Sequence, residues 1–498
     1  MSALGYLTNR PDEVLDALRR GEIVGFDVAT EQIPDFFLLY AIESGLLDEL
    51  AATFPDPRTQ QPEIPPRVIL AAGVAGHFAG LYALSQLPYA LHSPRLLAQL
   101  GVQVTVNEPG NGLSRKGTQT EGPFHGDVVR KLLDLIAEQD QEAKRMPGQS
   151  LVDWYNHTVG EAYCRAIGAE PCVHILDCTK LAVNLRNEHY ELSGVTSRQD
   201  TPAGPKISER GYKLGTLRSL LDEGAVMTAI AWGSIERSDL VVTHDLVRQT
   251  RHLHPGDLLL EDRGFLDADT INFLKVERRV DVFTGLRSDM LLLRAAIAET
   301  QGNPGNWRPH PTRKNQQIQL VSGLGKIWEG LHVPMNVCVV RFKDKKAAKE
   351  AEGEVAQQGW RYVGFATTDL TASATRVIQT YQTRPEIEED YRQLKGSSWR
   401  MDEFCATRLV QILWHVILTL LAYNLFQVYT NTVKGQAFAR KTRQRIEREQ
   451  RRKPVSYLVV CTREAFGVYE TRRLLLVLLD LPAAVQQKIR AIIAQKLE

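Results

Sequence analysis

Cysteine is scarce in this chain of 498 residues: there are six, at positions 164, 172, 178, 338, 405 and 461. No two form a Cys-x-x-Cys pair, so neither a zinc ribbon nor a thioredoxin-like redox site is signalled. So few cysteines in so long a chain fit a reducing compartment. Net charge is nearly absent as well: Lys and Arg number 60 against 59 Asp and Glu, a balance of +1. The total therefore gives no evidence for a nucleic-acid partner, and only a local patch can. The opening residues MSALGYLTNRPDEV lack the basic-then-apolar pattern of a secretory signal, so a cytoplasmic location is expected. No internal repeat is visible. One apolar run, Leu409–Tyr429, has the length of a membrane span, but it carries Gln411, His415, Asn424 and Gln427. Those polar groups are costly in lipid, and the run is read as a buried core helix.

The texture of the chain changes along its length. Residues 1–150 are expected to be mostly helical, with apolar residues at helical spacing over 11–20, 32–53 and 65–84. A loop rich in Gly, Asn and Pro follows over 107–124, then helices near 126–144 and 154–168. From Cys172 the pattern becomes that of strands. CVHILD is a short apolar run ending in an acid; YKLGTLRSLLD and AVMTAIAWG complete a meander. A helix near 239–251, the strand GDLLLED, a helix over 267–276 and the strand VDVFTGL follow. Such alternation predicts an α/β domain with a mixed sheet. Residues 288–356 interrupt it with a Gly/Pro/Asn-rich loop and the strands IQLVSG and MNVCVVRF, read as an inserted β-rich subdomain. RYVGFATTD returns to the sheet, and helices over 372–383, 386–395 and 409–429 close the domain. The expected division is thus 1–150, a helical region; 151–287 and 357–430, the two parts of the α/β domain; 288–356, the insert; and 431–498, a basic and helical C-terminal region. Within the last, 434–453 holds nine Lys and Arg against Glu447 and Glu449.

Three acids stand out by position. Asp177 closes the apolar run CVHIL, and Asp262 closes LLLE, with Glu261 before it facing the opposite side of the strand. Carboxylates at the carboxyl ends of buried strands are where α/β sheets place ligand-facing groups. Glu388 lies in YQTRPEIEEDYRQLKG, which holds seven charged residues of both signs. If that segment were one helix, Arg384, Glu388 and Lys395 would fall at about 300°, 340° and 320° from Tyr381, a single stripe. Pro385 interrupts the register, but from Glu386 onward it is safe. Glu388 then borders the apolar stripe of Ile387, Tyr391 and Leu394, a position suited to a metal ligand more than to a solvated charge. Phosphodiester chemistry explains the combination. Divalent ions need hard oxygen ligands, and neighbouring Arg and Lys hold phosphates. A glycosidase pair of carboxylates leaves those cations unexplained, and a solvated amphipathic helix leaves the strand-end acids unexplained.

Taken together, these residues resemble the DDE transposases of bacterial insertion sequences, in the branch with the Tyr-x2-Arg-x3-Glu-x6-Lys signature. Tyr381, Arg384, Glu388 and Lys395 fit all three spacings; Asp177-Cys178-Thr179 resembles the first Asp motif, and Asp262-Arg263-Gly264-Phe265 the second. The resemblance spans about residues 170–430. It implies an RNase H-like core with a β insert, and Asp177, Asp262 and Glu388 as catalytic acids and ligands of Mg2+, with Mn2+ able to substitute. Tyr381, Arg384 and Lys395 are implied to touch DNA phosphates. Arg263 is implied to stabilise the site, and Thr179 to support the strand.

The implied activity is cut-and-paste transposition in a bacterial cytoplasm, at the nucleoid when bound to DNA. The inverted-repeat ends are expected to be bound by residues 1–150, the phosphodiester to be cleaved with two metal ions, and the 3′-hydroxyl to be transferred to target DNA. A homodimer in the DNA complex is expected, because both ends must be held. The basic run, through Arg448, Arg451, Arg452 and Lys453, is a candidate DNA contact. If the second strand is cut through a hairpin, Trp307 in the insert is the candidate to stack on the displaced base, whereas Trp328 is expected in the insert's own core. Two alternatives remain open here: a metal-dependent nuclease without strand transfer, and a transposase-derived DNA-binding protein that no longer cuts.

Overall fold

The computed structural model describes residues 8–31, 33–59, 62, 64–91, 94–101, 124, 126–199, 206–222, 224–343, 355–357, 360–396, 399–432 and 455–497. By its internal contacts the chain divides into two units. One is the continuous segment Tyr155–Lys395; the other joins Met1–Trp154 to Gly396–Glu498.

The continuous unit is a mixed α/β structure built on an eleven-stranded sheet. Its strands are β1 (Val173–Val183), β2 (Gly194–Gln199), β3 (Lys206–Leu220), β4 (Ala225–Ser234), β5 (Leu258–Glu261), β6 (Asp281–Gly285), β7 (Arg308–Pro309), β8 (Gln316–Val321), β9 (Asn336–Phe342), β10 (Val355–Gln357) and β11 (Trp360–Thr367). The order runs β2-β3-β1-β5-β6-β11-β9-β8-β7, with β4 added to β3 and β10 to β11. Only β1–β5 and β5–β6 are parallel pairs. These central strands read as unbroken apolar runs because both their faces are covered; all four residues of β5 are buried. The helices are α1 (Gly160–Ile167), α2 (Asp239–Gln249), α3 (Ala268–Asn272), α4 (Leu291–Gly302), α5 (Ala374–Tyr381) and α6 (Glu386–Lys395). Leu246 and Val247 of α2 and Leu293 and Ile297 of α4 share one core with Leu217, Val282 and Val337 of the sheet.

The strands of the interrupting segment extend this same sheet. Residues of β9 pair with β11, from Asn336 against Thr367 to Phe342 against Arg361, and β8 pairs with β9. β2 has no counterpart in the sequence reading, since GVTSRQ carries a single large apolar residue and offers no alternation.

In the second unit, the segment 32–53 expected as one helical stretch forms two helices, Ile33–Glu43 and Leu46–Ala52. The break falls at Gly45, whose φ of 76° is a left-handed conformation that other residues adopt at a cost. Leu409–Thr430 is the one helix among the described residues long and apolar enough to cross a membrane, and 89% of its most apolar window is buried. It packs on the helix Pro66–Ala79, where Gly73 leaves room for Leu418: a Cβ there would lie 2.6 Å from the leucine methyl. The same unit contains a four-stranded sheet ordered Thr8–Asn9, Ala465–Glu470, Val455–Cys461, Gly25–Glu31. The sequence reading sees only helices here, because GFDVATE mixes charges into a short strand whose partner lies near the other end of the chain. The basic run 434–453 lies outside the described residues.

Candidate active site

The register of the three parallel strands sets the site. Leu176 of β1 pairs with Glu261 of β5, and Glu261 with Thr284 of β6. The residues one position further are Asp177, Asp262 and Gly285. Side chains alternate along a strand, so these three share one face, opposite Leu176, Glu261 and Thr284. Glu261 is accordingly enclosed at 1% exposure, with neither carboxylate oxygen hydrogen-bonded. Burial, then Asp267 and Asp262, push its carboxyl well above the usual range. Asp262, by contrast, borders open space.

Above this face the signature segment passes in two pieces. α5 ends at Tyr381, residues 382–385 form a turn, and α6 starts at Glu386. Pro385 thus interrupts the helix, yet the turn still delivers Arg384 to the acids. One guanidinium nitrogen, Nη2, stands 3.4 Å from Asp177 Oδ2 and 3.8 Å from Asp262 Oδ2; the other, Nη1, is 2.7 Å from Glu388 Oε1. Three carboxylates from β1, the end of β5 and α6 therefore converge on one cation. Burial works against the charge of Arg384, but Asp177 and Asp262 outweigh it and raise its pKa. For Asp177, burial dominates and pushes the carboxyl up to about 6, against the opposing pull of Arg384 and of the Cys178 amide, which donates to its Oδ1 at 2.8 Å.

Tyr381 crosses directly over Gly285. A Cβ at position 285 would lie 2.9 Å from the tyrosine hydroxyl, so only glycine admits that approach. The Tyr381 ring leans on Phe365, with centroids 4.8 Å apart, and burial pushes its hydroxyl up to about 12. α6 is anchored from beneath. Ile387 and Leu394 are fully enclosed. The hydroxyls of Tyr391 and Thr216 are 2.6 Å apart, and the buried Arg218 of β3 bonds Asp390 and reaches Glu386 at 3.2 Å. These contacts fix the helix that carries Glu388.

A cavity of about 640 Å³ opens beside the acids. Asp262, Arg263, Tyr381, Arg384 and Glu388 line it together with His310 and Arg313, from the turn between β7 and β8, and Gln316, the first residue of β8. Lys395, at the end of α6, is half-buried and not among the lining residues, although its charge acts on the thiol of Cys178. Thr179 is buried in β1. Trp307 is half-buried against the sheet's core, with the Arg341 guanidinium 4.0 Å from its ring centre; it is not brought to the cavity. Trp328 packs on the same core. Arg448, Arg451, Arg452 and Lys453 lie outside the described residues. The wall formed by His310 and Arg313 carries no periodic or spacing signal, and only the pairing of β7 with β8 reveals it.

Among the described residues, no three His, Cys, Asp or Glu side chains are grouped to hold a metal ion as they stand. The donor set nevertheless fits one: three carboxylates are hard oxygen ligands, and they already face a shared positive charge. A mixed sheet of this order, flanked by helices, is consistent with an RNase H-like fold. Residues 209–425 match the family model described as a transposase DDE domain, and this match supports an insertion-sequence DDE transposase. The matched span includes Asp262 and Glu388 and begins after Asp177. A comparison with curated proteins finds no match.

Proposed function

We propose that the chain is a cut-and-paste transposase whose catalytic acids are Asp177, Asp262 and Glu388. The observation that carries this reading is their convergence on Arg384, across 85 residues and then 126 more of sequence (262 − 177 and 388 − 262). The three acids would hold Mg2+, or Mn2+ in its place. Bound there, such ions would supply charge to activate the attacking oxygen and stabilise the leaving one.

The chain's own residues do the rest. Arg384 balances the three carboxylates in the free protein and, released from them, binds a phosphate oxygen of the DNA end. Tyr381, held over Gly285 and against Phe365, orients that phosphate through its hydroxyl. Lys395 contributes a further phosphate contact from the end of α6. The strand-end acids keep fixed positions because the β1–β5–β6 register holds them, and Glu388 because Arg218 and Thr216 anchor its helix. Water attacks first, and the freed 3′-hydroxyl then attacks target DNA, with a hairpin between the two steps if the same hydroxyl first takes the opposite strand. Residues 1–150 and the basic run 434–453 supply end and backbone contacts, and two copies of the chain hold the two ends.

The test is to incubate the chain with duplexes carrying its element's ends, with and without Mg2+. Metal-dependent cutting at the ends followed by joining to a second DNA is expected. Cutting without joining leaves a nuclease, and binding without cutting leaves a DNA-binding descendant; either result overturns the proposal.

A further inference from the structure

Part of the cavity that the acids border is lined by a short hairpin. Arg308 and Pro309 of β7 pair with Ile318 and Gln317 of β8, and the His310 amide donates to the Gln316 carbonyl at 3.0 Å. Inside the turn, Nδ1 of His310 accepts the backbone amides of Thr312 and Arg313 at 3.2 and 3.1 Å, and the Thr312 hydroxyl is 3.4 Å away. A ring nitrogen that accepts two amides carries no proton, so the imidazole is neutral with its hydrogen on Nε2. Burial, with Arg313 beside it, holds the ring's pKa below the ordinary value, which keeps that tautomer at neutral pH. His310 is 8% exposed, and what it faces is the cavity.

The hairpin is also tied to the signature segment. Gln382, between Tyr381 and Arg384, donates its side-chain amide to Thr312 Oγ1 at 3.1 Å. The turn thus sits at a set distance from the acids. Around the cavity stand three arginines, 263, 313 and 384, against two carboxylates, Asp262 and Glu388. A phosphodiester suits the N–H donor and the guanidinium that share this cavity with the acids. Arg can bind it with two parallel hydrogen bonds, and the three arginines offset the repulsion of the two carboxylates.

We propose that His310 Nε2–H and the Arg313 guanidinium form a second phosphate site, which grips the DNA strand in the cavity bordered by the acids at a phosphate next to the one being cut. This rests on the transposase reading above. The site acts as a positioning device. It fixes where the strand lies, and the chemistry stays with the acids.

The experiment uses the full chain and a short duplex carrying its element's end, first without metal, so that binding is read apart from cutting. Arg313→Gln is expected to weaken binding by about tenfold and to reduce the salt slope by about one. His310→Asn keeps an oxygen where Nδ1 accepts the turn amides but removes the Nε2 donor, and should weaken binding while leaving thermal stability unchanged; His310→Ala loses both. A series of duplexes, each with one phosphate made neutral as a methylphosphonate, identifies the contact. At one position the neutral phosphate should penalise the parent protein but add nothing to the penalty of Arg313→Gln. If every neutral phosphate penalises the variant as much as the parent, or if both variants bind like the parent, the second phosphate site is overturned and the transposase reading stands. If the parent binds and yields this pattern but never cuts with Mg2+, the catalytic reading falls and the phosphate site stands. If the parent does not bind the duplex, both fall.

Discussion

The hydroxyl of Thr216 lies 2.6 Å from the hydroxyl of Tyr391, joining the third strand of the sheet to the helix of Glu388. Two residues along that strand, Arg218 completes the joint with Asp390. Both ends of this joint are buried, so removing one partner strands the other. Arg218→Ala is expected to destabilise the protein by about 3–5 kcal/mol, and Tyr391→Phe by about 1 kcal/mol. Denaturant unfolding measures both. Equal stability in Arg218→Ala and parent would mean that the helix is held by its apolar stripe alone.

Asp177→Asn, Asp262→Asn and Glu388→Gln should each reduce end cutting to background while end binding persists, since they remove ionisable oxygen ligands and little else. Gel-shift and cleavage assays on the same duplex separate the two properties. A variant that binds and still cuts would remove that residue from the catalytic set.

Arg384→Gln should expose the mutual repulsion of the three acids. At neutral pH, without divalent ions, its stability is expected to fall by about 1–3 kcal/mol. Millimolar Mg2+ should restore more of its melting temperature than it adds to the parent. The opposite ranking in a thermal-shift titration would argue against a shared cation position.

Gly285→Ala places a methyl 2.9 Å from the Tyr381 hydroxyl. Tyr381 must then move, and cutting should drop by about a hundredfold with end affinity nearly intact. Single-turnover cleavage at saturating protein gives the answer, and an unchanged rate would show that the placement of Tyr381 is unimportant.

His415, in the second unit, has its ring nitrogens 3.3 Å from His77 Nε2 and 3.0 Å from the Arg400 carbonyl. Burial pulls its pKa down to about 4. His77, Tyr82, Cys405 and Arg130 line the same small cavity. The unfolded chain takes up a proton near pH 6.5 and the folded one only near 4. Stability is therefore complete above about pH 6.5 and is lost as pH falls toward 4, by on the order of 3 kcal/mol. His415→Gln should flatten that slope in unfolding curves taken across this range; an unaltered slope would assign it to other groups.

What was legible in the sequence follows from locality. CVHILD and LLLED announce buried strands because both faces are apolar, and their terminal acids mark where the core stops. EIEEDYRQLKG gives α6 its length and its buried stripe, since the pattern repeats within one helix. The Arg384–Glu388 pair could be read from a spacing of four; that the same guanidinium meets Asp177 could not, because nothing local links positions 207 residues apart. Strand register was equally hidden, and it alone sets Gly285 beside the two aspartates. GFDVATE was illegible for the same reason, since its β character depends on a partner strand near the other end of the chain. Pro385 was visible as a break, but not that the turn around it would bring Arg384 inward.

That partner strand has a consequence for synthesis. Residues 25–31 are made early, yet they pair with 455–461, which leave the ribosome only after the whole 155–395 unit. The unit spanning 155–395 is continuous and can close on its own contacts while translation proceeds. Until the last strand arrives, the early one presents an open edge of the kind that recruits other chains. A chain still being translated would therefore have its 155–395 unit closed before its terminal sheet.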